Sequence, residues 1–230
     1  MRTIGIVLAG GSGGASIDGG RPNAFLSIAG RPVVAHAVGR LSALGDFDEI
    51  SVVCPKWFVP ELETWIHGSR SLTKVAFVAD GPTFSRSLSA GLSAAPPSGD
   101  DDLVVLHEGA NPLFGPSDES IRTMLERARS TGVVVARSSI GSRGSVPSAL
   151  SSVSRADFLG TLAAPWRIIR PVVERFPSEN PSSLLDLALA TKPEPVLFVP
   201  DSPGLVVRGP TDFYALRVAV RSGSDASGSV

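Results

Sequence analysis

Val7 to Phe25 reads VLAGGSGGASIDGGRPNAF, and the fold follows from how that stretch is read. With the residues before it, Thr3 to Gly11 (TIGIVLAGG) is a β-branched run closed by glycines, the pattern of a buried parallel strand feeding a loop. Backbone N–H groups in a glycine turn can hold phosphate oxygens without help from a charged side chain. Gly11 to Gly20 indeed offers no lysine or arginine. Two nucleotide-binding patterns are excluded. The dinucleotide fingerprint needs a third glycine where Ser16 stands, counting from Gly11 and Gly13, and an acid where the next strand ends in Val53, Cys54 and Pro55. The Walker loop needs Gly-Lys-Ser/Thr, which never occurs here. Gly10, Gly11, Gly13 and Gly14 therefore read either as a phosphate loop of another kind or as a tight strand-to-helix turn.

Beyond the loop, strand and helix patterns alternate. Pro32 to Gly45 has apolar residues at Val34, Val38, Leu41 and Leu44, a helical spacing that Gly45 ends. Glu49–Pro55 reads as a strand, Pro60–Gly68 as a helix and Lys74–Asp80 as a third strand. Phe84–Ala95 has helical spacing at Leu88 and Leu92, and Asp101–Gly109 is a fourth strand ending in the polar pair His107 and Glu108. Ser117–Gly132 is the clearest helix, with a serine or aspartate cap, acids in its first turn and arginines in its last. Val133–Arg137 is a fifth strand. The alternation predicts a doubly wound, mostly parallel α/β sheet. Ser138–Ser154 is Ser/Gly-rich and reads as a loop or projecting arm. Ser182–Ala190 then reads as helix, Pro195–Asp201 and Gly204–Gly209 as short strands, and Pro210–Arg221 as a final helix. Residues 1–221 form one domain in this reading, and 222–230 a disordered tail.

The 230 residues, 43% apolar and 19% charged, suit one globular domain with a normal core. A net charge of −1 provides no basic field for nucleic acid or an anionic membrane. The single Cys54 excludes an internal disulfide and suits a reducing compartment. No apolar run approaches the ~20 residues that span a bilayer, and Ile4–Ala9 is too short for a signal-peptide core, so a cytoplasmic protein is expected.

VLAGGSGG followed by RPNAFLSIAGRPVVAHAV resembles the opening of nucleotidyltransferases, above all the methylerythritol-phosphate cytidylyltransferase family of isoprenoid synthesis. DGPTFSRSLSAGL (Asp80–Leu92) resembles its glycine-then-serine segment, LVVLHEGANPL (Leu103–Leu113) its fourth-strand motif, and LVVRGPTDFYALRVAV (Leu205–Val220) its closing segment. The resemblance implies a Rossmann-like nucleotide-diphospho-sugar transferase fold and transfer of CMP from CTP to a phosphorylated acceptor, with Mg²⁺ and release of pyrophosphate. It assigns nucleotide binding to Leu8, Ala9, Gly10, Gly11, Ser12, Gly13, Gly14, Gly81 and Ser87, the last two towards cytosine and ribose. It places Glu108 where the family has an acidic metal ligand. It also implies a homodimer through the 138–154 arm.

The departures from the family pattern fall on its cations. The loop arginine is replaced at Ala15 (or Gly14), the lysine after proline at Asn23, the late lysine at Val206 and the fourth-strand arginine at Asn111. Losing one preorganised electrostatic donor costs ~10²–10³ in rate. The same resemblance therefore implies weak or lost turnover unless Arg21, Arg155 and Arg208 substitute. Three readings stay open: a working cytidylyltransferase, a non-catalytic homologue serving as binding or regulatory partner, and a guanylyl or sugar-nucleotide transferase. Plainer readings stand beside each residue. Ser87 reads also as a helix cap, His107 and Glu108 as a solvated strand end, Thr211 and Asp212 as helix capping, and Trp57, Trp65 and Trp166 as packing residues.

Overall fold

The computed structural model describes residues 1–10, 21–66, 73–113, 116–137, 158–176, 181–201 and 206–226. In chain order these form β1 (Thr3–Leu8), a small hairpin of β2 (Ser27–Ile28) and β3 (Arg31–Pro32), α1 (Val33–Leu44), β4 (Glu49–Cys54), α2 (Val59–Ile66), β5 (Lys74–Ala79) and α3 (Phe84–Ala94). There follow β6 (Leu103–Glu108), α4 (Asp118–Thr131), β7 (Val134–Arg137), β8 (Phe158–Pro165), α5 (Trp166–Glu174), α6 (Leu184–Leu189), β9 (Val196–Phe198) and α7 (Pro210–Ala226). Seven strands pair in the order β5-β4-β1-β6-β8-β7-β9. Strands β5, β4, β1 and β6 run parallel, as do β7 and β9, whereas β8 is antiparallel to both neighbours. The sheet is thus the mostly parallel α/β sheet that the alternation predicts.

Both faces of the sheet are covered. On one, Val34, Val38 and Leu41 of α1 pack with Leu62 of α2, Met124 and Leu125 of α4, and Val52 and Val105 from the strands. On the other, Leu88 and Leu92 of α3, Ile169 of α5 and Leu187 of α6 cover Ile4, Ile6, Leu106 and Leu162. Each such side chain contributes about 1.5–3 kcal/mol when buried. A smaller cluster of Leu26, Ile28, Val33, Val207 and Leu216 fastens the hairpin to α7. Helix ends follow the capping signals: Ser117 Oγ accepts from Ser120 N–H, and Gly45 ends α1 at φ +73°.

Several elements differ from the expectations. β8 and α5 had no counterpart in the sequence reading, because Phe158–Pro165 is buried on both faces and broken by Gly160 and two alanines, which erases any period-2 pattern. The described part of Gly204–Gly209 is not a strand; Val207 N–H makes one bond, to Ala110 O at 2.9 Å, and the backbone moves on into α7. α7 continues to Ala226, past the expected end at Arg221. Trp57 and Trp65 are not packed away: they are 61% and 38% exposed. Trp166 does pack, against the second core. The 138–154 segment lies outside the described residues.

Candidate active site at the carboxyl edge of the sheet

The four parallel strands end together, and single backbone bonds extend the ladder one residue past them. Ala9 N–H reaches Val53 O at 2.8 Å, Asp80 N–H reaches Cys54 O at 3.0 Å, and Gly109 N–H reaches Leu8 O at 2.9 Å. Ligands of open α/β sheets sit at this edge. The loops leaving it are held so close that side chains do not fit at three positions. A Cβ on Gly10 would overlap the Asp80 side chain, whose Cβ would stand 2.5 Å away; one on Gly109 would meet Ala9 Cβ at 2.8 Å; one on Gly81 would overlap Arg86 Cβ. The glycines of the motif thus answer to close approach rather than to turn geometry alone.

On one side of Gly10, β5 turns into α3. Thr83, not Ser87, caps this helix, its side chain accepting from Arg86 N–H. Ser87 lies a turn further in, where its hydroxyl accepts from Gly81 N–H at 3.0 Å and donates back to Gly81 O at 3.3 Å. Gly81 and Ser87 are therefore one hydrogen-bonded unit, and the capping reading of Ser87 is corrected. Asp80, which the sequence reading passed over, stands directly on Gly10. An acid placed between the end of a strand and a glycine, at the ligand-binding edge, was the available signal. Cys54 beneath it is buried, and burial first and the Asp80 charge second push its thiol up to about 12, so it is inert.

On the other side of Gly10, side chains are committed to one another. Glu108 packs against Gly160 of β8, where a Cβ would stand 2.7 Å from Glu108 Cβ. Arg208 Nη2 lies 3.8 Å from Glu108 Oε2 and donates to Phe158 O. Asp212 accepts from Arg208 N–H and Gly209 N–H, both at 3.0 Å, as a cap of α7. Asn23, at the family's lysine position, donates to Val207 O at 3.1 Å, while its Oδ1 is buried without a partner. Asn23 and Arg208 are thus brought together by the segment 206–208. Arg21 points elsewhere, its guanidinium 5.6 Å above the Phe58 ring.

The reading of His107 as part of a solvated strand end is corrected, and Asn111 at the family's arginine position is buried too. His107 is fully buried between Thr161 Oγ1 at 2.9 Å and Asn111 O at 2.8 Å. A carbonyl only accepts, so Nε2 carries the proton and Nδ1 accepts from the Thr161 hydroxyl. Burial lowers the ring to about pH 4, so it is neutral near pH 7. Asn111 donates to Leu159 O at 2.7 Å and accepts from Leu113 N–H at 2.8 Å. Both tie β6 to β8 and hold Glu108 in place. Among the described residues no group of three or more His, Cys, Asp or Glu side chains converges as a metal site. Gly11, Ser12, Gly13, Gly14 and Arg155 lie outside the described residues.

A parallel sheet of this order, with its carboxyl edge opened by glycines, defines a protein of the nucleotidyltransferase fold class. The synthase of 4-diphosphocytidyl-2C-methyl-D-erythritol from Anaerococcus prevotii has this fold at a TM-score of 0.70, over 96% of this chain and 98% of that one, with 16% identity. HddC from Yersinia pseudotuberculosis matches at 0.64, over 94% and 97%, also with 16% identity. The family model described as IspD, 2-C-methyl-D-erythritol 4-phosphate cytidylyltransferase, matches residues 3–140, and the chain belongs to that cytidylyltransferase family. A ribitol-5-phosphate cytidylyltransferase of Streptococcus agalactiae serotype V is 34% identical over 59% of this chain and 56% of its own length. The 2-C-methyl-D-erythritol 4-phosphate cytidylyltransferase of Thermobifida fusca is 31% identical over 58% and 54%. The chain spans about half the length of the curated relatives it matches.

Proposed function

We propose that this chain binds CTP in the cleft around Gly10 and transfers CMP slowly to the phosphate of a short sugar alcohol. The observation that carries the reading is the triple close approach at Gly10, Gly81 and Gly109, which draws the strand-end loops together on the edge where this family works. The ribitol and methylerythritol phosphates in the relatives' names share one chemistry, a short open-chain polyol ending in a phosphate monoester. In the proposed reaction an acceptor phosphate oxygen bonds to the α-phosphorus of CTP, the bond to the bridging oxygen of the β-phosphate breaks, and pyrophosphate leaves with that electron pair.

Gly81 and Ser87 would hold the base and ribose, and the Gly10–Gly14 backbone the phosphates. Mg²⁺ normally keeps several waters and takes one or two carboxylates plus substrate phosphates, so the single carboxylate Glu108 fits it as a protein ligand. The ion would neutralise charge on the phosphates. Arg208 lies 3.8 Å from Glu108, and that approach together with its bond to Phe158 O reduces what it gives to the reaction. Slow turnover follows from that and from the replaced lysine at Asn23. The same commitment of Arg208 favours a second reading, a CTP-binding partner protein without turnover. Pyrophosphate release from CTP and Mg²⁺, with ribitol 5-phosphate or 2-C-methyl-D-erythritol 4-phosphate as acceptor, decides between them. Acceptor-dependent release supports the transferase; CTP binding with no release under either acceptor leaves the partner reading.

A further inference from the structure

We infer that Asp80 reads the nucleobase, accepting a hydrogen bond from an exocyclic amino group and so selecting cytosine over uracil; the inference rests on CTP binding at this edge. The carboxylate lies against the Cα of Gly10, the first glycine of the loop, and its residue immediately precedes Gly81, which Ser87 holds by two hydrogen bonds. Asp80 is partly exposed. Backbone alone fixes it, through Asp80 N–H to Cys54 O at 3.0 Å. Among the described residues no hydrogen-bond donor or cation engages its side chain. By contrast, Glu108 and Asp212 at the same edge have Arg208 beside them or backbone N–H groups to accept.

An unpaired carboxylate next to a triphosphate site repels every nucleotide equally through its charge. It is offset only where the ligand supplies a donor. Carboxylates accept from the N4 amino group of cytosine, whereas uracil presents an O4 acceptor at the same place. The two triphosphates are otherwise nearly isosteric, so charge and hydrogen-bond direction decide between them. A site that pairs with a donor disfavours the analogue presenting an acceptor there, and hydrogen bonds to charged groups alter affinity by roughly 10- to 100-fold.

The test is calorimetric titration of the full chain with CTP and UTP in Mg²⁺, for the wild type, Asp80→Ala and Asp80→Asn, with thermal melts to confirm that each variant folds. The wild type is expected to prefer CTP by at least ~10-fold. Asp80→Ala should weaken CTP and tighten UTP, collapsing the preference, and Asp80→Asn, whose amide also donates, should bind UTP better than the wild type does. A crossing of this kind is not produced by a structural role, which would move both nucleotides together. An unchanged CTP/UTP ratio in Asp80→Ala overturns the inference while leaving CTP binding intact. A wild type that binds neither nucleotide overturns the proposed function, and this inference with it.

Discussion

The two flanks of Gly10 are built differently. On the β5–α3 flank, the Ser87 hydroxyl and the Gly81 backbone bond to each other, and Asp80 presents a carboxylate that no described residue engages. On the β6–β8 flank, Arg208, His107, Asn111 and the Asn23 amide N–H donate to or pair with the protein itself. A group that must stabilise a passing charge needs free bonding capacity at that moment. The first flank has kept it and the second has turned it into scaffold. Under the proposed function, recognition and transfer would diverge separately in one fold.

The largest effect expected concerns the scaffold of the second flank. His107 is neutral in the fold down to about pH 4, whereas the unfolded chain takes up the proton near 6.5, so stability falls as pH drops through that window. The loss amounts to about 3 kcal/mol at its acid end. Urea unfolding at pH 7 and pH 4.5 should show it, and His107→Gln should flatten the slope; an equal slope in both proteins would contradict the burial argument. Next, Asn23→Lys returns a cation beside Val207 and should raise acceptor-dependent pyrophosphate release by about 10²-fold. No gain would mean that the second flank is limited by something other than charge.

Gly81→Ala sharpens the first flank, since the new Cβ would overlap Arg86 Cβ and stand 3.1 Å from Ser87 N. Overpacking of this kind costs ~1–3 kcal/mol, and CTP affinity should fall with it; a variant as stable and as tight-binding as the wild type would show that the approach is not needed. The smallest effect belongs to Arg21→Ala. Stacked on Phe58 at an exposed position, Arg21 contributes about 0.5–1 kcal/mol to stability. CTP affinity should stay within about twofold, for which the same titration suffices.

The sequence showed the first flank better than the second, for physical reasons. Glycines and strand-end runs are local, so β1, β5 and α3 could be read from neighbouring residues. Gly81 and Ser87 were marked only by the family resemblance, and the local cap signal at Ser87 was wrong. Matching residues 3–140 to the family model covers the same part of the chain. The second flank is assembled from distant pieces. Thr161 and Leu159 come from β8, whose two buried faces and small residues hide it from any periodicity. Without β8, nothing marked His107 as buried or Asn111 as a cross-strand tie, and His107 read as part of a solvated strand end. Trp57 misled in the opposite sense: its aromatic character suggested packing, but it sits exposed, edge-on to Phe58.

The account turns on whether the first flank still holds cytidine. Calorimetric titration of the purified chain with CTP and Mg²⁺ measures that with no assumption about the acceptor. Saturable, Mg²⁺-dependent binding with a Kd well below 1 mM, stronger than about −4 kcal/mol, is the predicted result. No heat with CTP at millimolar concentration would contradict it, and the glycines at the sheet edge would then be packing alone.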